Sequence, residues 1–300
     1  MSDTDSSSSS LDELPLSPEE KVIQRKRTQM HLRHDVTLKK FETNNVFKKS
    51  TSTQKSKEEE VSGKKTGIEL VDLDLELKEY GKRWASDIVV LHDNTLRAEL
   101  QDLRVMLTQL GKRITRISYN EVDYLLIWWD IFQSYVAAFL TVDADVLFPM
   151  LADKESFPEE LSTAYRQKIT TNVYAQIMTI DEQIESGNLQ RQPPGTFIQT
   201  ICKFYNEVGP VLLDYYARKE KILPEMFERY FDDKTKRKIE KRFQRKLVRE
   251  EIRGESVGAC QRWMEPDARS RWKRQALGIR CMVSFKAWSM RWETRHLTIA

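Results

Sequence analysis

The stretch Tyr124-Leu125-Leu126-Ile127-Trp128-Trp129-Asp130-Ile131-Phe132-Gln133-Ser134-Tyr135-Val136-Ala137-Ala138-Phe139-Leu140-Thr141-Val142 repeats large apolar residues at helical steps and carries no charge between Asp130 and Asp143. Tyr124, Leu125, Trp128, Phe132, Tyr135, Val136, Phe139 and Leu140 share one side, and Trp129 and Ile131 extend the apolar surface around the axis. A helix apolar over so much of its circumference packs on several neighbours at once, so this pattern predicts a central helix over about residues 120–151 of an all-α bundle. Pro149 and Pro158 mark its end.

Partner helices follow on both sides. Over residues 80–112, Trp84, Ile88, Leu91, Leu96, Leu103, Met106, Leu107 and Leu110 recur at steps of mostly three and four, with Arg97, Glu99, Asp102 and Arg104 among the polar positions. His92 stands four residues from both Ile88 and Leu96, which turns its ring toward the apolar stripe. A third helix is expected over about 159–186 through Leu161, Tyr165, Ile169, Val173, Ile177 and Ile180, and a fourth over about 196–232 with a kink at Gly209-Pro210. Short connections between four such helices predict an up-down-up-down four-helix bundle over residues 67–232. Residues 233–300 then add a basic helix and a tryptophan-containing helical extension.

Charge is divided unevenly along the 300 residues. Residues 1–20 hold six acids and no base, while residues 21–57 hold eleven Lys and Arg against Asp35 and Glu42, which accounts for the whole net charge of +3 and leaves the rest neutral. With few aromatics, a Ser6 to Ser10 run and a polar stretch from Ser50, residues 1–66 cannot bury enough apolar surface to offset the entropy of ordering, and a disordered tail is expected. Ser17-Pro18-Glu19-Glu20 is a capping-box signature that predicts a short helix over 18–30, and Ser17 is also a proline-directed phosphorylation candidate.

Ten glycines and nine prolines are few for this length and disfavour sandwiches, barrels and glycine-rich nucleotide folds. There is no phosphate-binding glycine loop, no GxSxG and no HExxH, so the chain carries no signature of an enzyme. Cys202, Cys260 and Cys281 are far apart with no CxxC pair, against a disulfide framework or a structural zinc site. No apolar run reaches the roughly 18 residues of a membrane span and the first residues are acidic, so no transmembrane segment and a cytoplasmic or nuclear setting are expected.

Four segments together resemble one family. Leu91-His92-Asp93-Asn94-Thr95-Leu96-Arg97-Ala98-Glu99-Leu100 resembles the first helix of hemerythrin-like domains, where a histidine is followed by an Arg-x-x-Leu turn. Asp143-Ala144-Asp145-Val146-Leu147-Phe148-Pro149-Met150-Leu151 resembles the end of that family's second helix, carboxylates followed by Leu-Phe-Pro-x-Leu. Glu220-Lys221-Ile222-Leu223-Pro224 is similar to the repeat of that signal on the fourth helix, and Trp263-Met264-Glu265-Pro266-Asp267-Ala268-Arg269 to a stretch that follows the bundle in some members. The resemblance covers about residues 80–275.

It implies a di-iron centre held by histidines and bridging carboxylates, which this sequence does not supply. Of four histidines, His31 and His34 lie in the tail and His296 near the end, and none occurs between Asp93 and Arg295. The resemblance carries the first-helix ligand onto His92 and the second-helix carboxylate onto Asp143, while Phe139 stands where a histidine would precede it. On the fourth helix the register allows Tyr216 with Glu220 or Asp214 with Arg218. Three readings are open. The first is a non-catalytic interaction or regulatory module that has lost its di-iron site and engages a protein partner. The second is an iron or small-ligand sensor using His92, Asp143 and Glu220, with Asp145 as a further carboxylate or with Trp128, Trp129, Tyr215 and Tyr216 lining a pocket. The third is an adaptor for nucleic acid or an anionic membrane, using the basic stretch from Lys21 to Lys57 and that from Lys234 to Arg249, where nine of sixteen residues are basic and only Glu240 opposes them. Phe285, Trp288, Met290 and Trp292 serve either as a partner anchor or as core.

Overall fold

The computed structural model describes residues 68–186, 192–249 and 253–276, all within one compact unit, Gly63–Ala300. The expected tail, its short helix, Ser17, His31, His34, His296, Cys281 and the Phe285 to Trp292 anchor lie outside the described residues. Within them the protein is helical, with no strand. The long elements are α1 (Trp84–Gly111), α2 (Tyr119–Val142), α3 (Thr163–Glu185), α4 (Pro194–Tyr230), α5 (Asp233–Arg249), α6 (Arg253–Arg262) and α7 (Pro266–Ala276).

Local chemistry sets most helix ends. Ser118 begins α2 with a full capping box, its hydroxyl accepting from the Glu121 N–H while the Glu121 carboxylate accepts from the Ser118 N–H at 2.9 Å. Ser162 caps α3, and Glu159–Leu161 forms a separate 3-10 turn, so α3 starts later than the sequence pattern suggests. Beyond Val142 the chain widens into a π turn, Asp143–Leu147, before a last α turn, Phe148–Ala152. Pro149 explains the widening: it lacks an N–H and its ring crowds the carbonyl four residues back, so the turn relaxes to an i→i−5 bond from the Phe148 N–H to the Asp143 carbonyl.

The centre of the protein is α1. Every residue from Asp87 through Leu100 is buried, although the sequence reading gives α1 a solvated face and the central place to α2. Helix α1 packs against α4 along its length and also against α2, α5 and α6, so the C-terminal helices cover the side that polar residues mark as exposed. Helix α2 is itself core, packed on α1, α3, α4 and α5. With its continuation it is long and apolar enough to cross a membrane, at a mean hydropathy of 1.6, but 61% of that window is already buried among its neighbours, as in an internal core helix.

Before α1 an extended strap runs along the helices. Leu73 and Leu75 are buried in the core, and two asparagines hold the strap's backbone. The Asn206 amide of α4 accepts from the Val71 N–H at 2.9 Å and donates to the Glu69 carbonyl at 3.0 Å, and the Asn94 amide of α1 accepts from the Lys78 N–H at 2.9 Å and donates to the Lys78 carbonyl at 2.7 Å. Each side chain thus satisfies backbone groups as a neighbouring strand would. Gly209 is the seat of Leu73: a Cβ there would stand 2.5 Å from Leu73 Cδ1. Helix α4 runs as one element through Pro210 and Pro224, as the single fourth helix expected from the sequence. Gly81, at φ 98°, turns the strap into α1.

Candidate functional site

Buried helices of this kind must match every internal charge with a partner, because an unpaired buried ion costs several kcal/mol. Along α1 the fully enclosed acids are Asp87, Asp93 and Glu99, spaced by six residues. At about 100° per residue a step of six turns the helix by about 240°, so the three carboxylates leave α1 in three directions about 120° apart. Each meets a cation from a different helix. Asp87 forms a short ion pair with Lys236 of α5, Asp93 Oδ1 lies 2.8 Å from Lys219 Nζ of α4, and Glu99 Oε1 lies 3.2 Å from Arg262 of α6. Around the first pair, Tyr80 donates to Glu240 at 3.3 Å, and burial, only partly offset by Lys236, raises the Glu240 carboxyl to about 7. Helix α6 is fastened again where the Trp263 indole N–H donates to Thr95 Oγ1 at 3.0 Å.

The middle pair forms the densest cluster. Lys219, 1% exposed, places its ammonium 2.5 Å from Asp143 Oδ2 as well as 2.8 Å from Asp93 Oδ1. The π turn delivers Asp143 to this point. Tyr215 donates to the same Asp143 oxygen at 3.3 Å, and the Tyr215 and Tyr216 rings lie 5.1 and 5.4 Å from the ammonium. Next to it Arg97 grips Glu220 with two parallel bonds of 2.5 and 2.9 Å.

Charge counting explains the ionisation. Lys219 and Arg97 bring two positive charges against the carboxyls of Asp93, Asp143 and Glu220, so one buried carboxyl is in excess. Asp93 bears it: burial pushes it up, Lys219 draws it back only in part, and Glu220 and Asp143 push it further, to about 8. Its second oxygen has no hydrogen-bond donor. Burial works against the Lys219 ammonium, but Asp143 and Asp93 more than offset it and hold Lys219 above the ordinary lysine value. His92 stays neutral, driven down to about 3 by burial and by the nearby Lys219 charge.

The three sequence candidates therefore have separate engagements. Asp143 holds Lys219, Glu220 holds Arg97, and His92 is sandwiched between Phe139 of α2, at 4.5 Å between ring centroids, and Phe243 of α5, at 4.8 Å. Asp145 is exposed on the outer side of the π turn. Of the two fourth-helix registers, Asp214 with Arg218 forms a surface ion pair, while Tyr216 and Glu220 point inward beside a residue neither register includes, Lys219. Trp128 and Trp129 do not join Tyr215 and Tyr216: Trp128 stacks on Phe132 at 4.8 Å, and Trp129 packs edge-on against Phe204 while its N–H donates to Asp181 at 3.0 Å.

These residues do not fit the di-iron centre that the resemblance implies. The space between Asp93 and Asp143 holds the Lys219 ammonium, and Phe139, at the place of a second imidazole, stacks on His92 and has no nitrogen to offer a metal. Among the described residues no group of three or more His, Cys, Asp or Glu side chains is placed to hold a metal ion. Two surface depressions, one beside Ile114 and Cys202 and one beside Phe157 and Met226, are lined by neither Lys219 nor its partners.

Sequence reasoning missed Lys219 and Asp93. Lys219 sits within Arg218-Lys219-Glu220-Lys221, a run that reads as solvated, yet it shares the three- and four-residue phase of Leu212, Tyr215, Tyr216, Leu223 and Met226, all buried. That phase was the available signal. Comparisons with models of known families, with curated proteins and with solved structures found no match.

Proposed function

We propose that this chain is a non-catalytic helical bundle of hemerythrin-like type, with α1 to α4 in up-down-up-down order, in which a lysine ammonium takes the place of the metal, and that it works inside the cell as an interaction or regulatory module. The observation that carries this reading is the Lys219 ammonium set between Asp93 and Asp143, at 2.8 and 2.5 Å. A fixed cation between two inward carboxyl groups does what a bound metal does for such a bundle: it offsets buried acid charge and ties α4 to α1 and to the end of α2. Unlike a metal it offers no open coordination position, so it holds the helices without providing redox or oxygen chemistry. Function then resides on the outer surface of the helices.

The test is elemental analysis of the purified full chain, with iron, zinc and manganese quantified per chain, repeated after anaerobic iron loading and paired with thermal unfolding with and without chelator. The reading expects sub-stoichiometric metal under both conditions and an unchanged midpoint. One tightly held metal ion per chain that raises the midpoint would replace this reading with a metal sensor.

A further inference from the structure

Some exposed charged side chains elsewhere among the described residues are paired. Lys78 pairs with Asp74, Arg83 with Glu228, Arg104 with Asp72, Lys203 with Glu207, Arg218 with Asp214 and Arg229 with Glu155. Helix α5 gathers its exposed bases at three- and four-residue steps on one side. It docks through Ile239 and Phe243, both buried, and turns its one mid-helix acid, Glu240, inward to 1% exposure. Lys234, Arg237, Lys238, Lys241 and Arg242 are left exposed. Arg237, Lys238, Lys241 and Arg242 form no ion pair with any described acid, while Asp232 and Asp233 stand at the N-terminal end, where the helix dipole favours them. Helix α7 packs against α5, buries Ala268 and Trp272, and exposes Arg271 and Arg274.

We propose that this basic face of α5 binds the phosphate backbone of nucleic acid without reading its base sequence. From Lys234 to Arg242 the α5 cations extend about 12 Å along the axis, a length over which one strand of a duplex presents roughly three to four phosphates. Among the described residues this face offers charge without an exposed large apolar side chain. The large exposed apolar residues among those described, Val71, Leu77, Val105, Tyr119 and Met178, all lie outside α5 and α7. Stable attachment to a membrane needs inserted apolar side chains or an acyl chain in addition to bases, whereas neutralising phosphates needs only the bases. With no exposed aromatic ring on these helices to stack a base, contact is confined to the backbone and is sequence-independent. The face is separate from the Lys219 cluster, so its test stands apart from the reading of the core.

The experiment measures binding of the full chain to two fluorescent DNA duplexes of unrelated sequence over a salt series, with vesicles containing phosphatidylserine as a parallel probe. The wild type is expected to bind both duplexes alike, with affinity falling steeply as salt rises. Arg237→Glu, Lys238→Glu, Lys241→Glu and Arg242→Glu combined are expected to weaken duplex binding by roughly tenfold or more and to flatten the salt dependence by about three to four phosphate contacts. All four side chains are exposed, so the helical circular dichroism should persist, and Lys238→Gln with Lys241→Gln, which changes less, should give an intermediate loss. Equal duplex affinity for wild type and the fourfold variant, or binding of the wild type to vesicles but not to duplex, would overturn the proposal.

Discussion

His92 and Phe139 lie face to face, their ring centroids 4.5 Å apart and their planes within 7°. The resemblance to hemerythrin-like domains puts a metal-binding imidazole at each of these places. Here one is phenylalanine and the other a neutral histidine packed as an aromatic plate, with Phe243 against it. A plate can be exchanged for another plate. His92→Phe is expected to change unfolding free energy by no more than about 1.5 kcal/mol, as volume-conserving core exchanges do. His92→Ala, which leaves a cavity beside Phe139, is expected to cost about 2–4 kcal/mol. Urea unfolding of the two variants checks this, and a loss in His92→Phe as large as in His92→Ala would show that the imidazole nitrogens matter.

Stability should fall with rising pH through neutrality, with Asp93 the main cause. Its carboxyl is raised from 3.8 to about 8 in the fold, so between those values the folded protein holds a proton that the unfolded chain has released. Stability therefore declines across that window, by up to about 1.4 kcal/mol per pH unit for one proton, and levels off above it. Glu240, raised to about 7, acts in the same sense up to that point. His92, lowered to about 3, acts oppositely, and its effect fades as pH rises past its ordinary 6.5 and is small above about 7.5. Urea midpoints across pH 6.5–8 should fall in the wild type and fall distinctly less in Asp93→Asn, which cannot titrate. Equal slopes in the two proteins would place the extra proton elsewhere.

How far the sequence reveals this architecture depends on which residues are apolar. The periodicity of Ile88, Leu91, Leu96, Leu103 and Leu107 fixes α1, and that of Leu125, Trp128, Phe132 and Phe139 fixes α2, because aliphatic and aromatic side chains have one favourable destination. Charged residues have two. Arg97 and Glu99 read as the wet face of α1 yet are 2% and 0% exposed, since α4 supplies Glu220 and α6 supplies Arg262 from more than a hundred residues away. No local pattern announces such a partner. The same reason hid Lys219, whose charged neighbours Arg218 and Lys221 mask its inward phase. The π turn was not legible: Pro149 reads as a mark of the helix end, whereas the helix widens and continues past it, carrying Asp143 inward, through the packing around it.

The strap before α1 depends on two amides. Asn94 is fully buried and makes both of its backbone bonds to Lys78. Asn94→Ala leaves that N–H and carbonyl without their partner and is expected to cost about 1–3 kcal/mol. Hydrogen exchange is expected to quicken first at the Lys78 amide, with the centre of α1 still protected. Unchanged exchange at Lys78 would show that Asn94 does not hold this end of the strap.

The central claim is that Lys219 is the cation around which α1, the end of α2 and α4 close. It is tested most directly by the unfolding free energy of Lys219→Met, alone and combined with Asp93→Asn and Asp143→Asn, measured by urea denaturation at pH 7. Removing the lysine alone leaves two buried carboxyls with no cation between them and is expected to cost about 3–5 kcal/mol, most of which the two asparagines should restore. A Lys219→Met protein as stable as the wild type, or a triple variant weaker than the single one, would contradict the account.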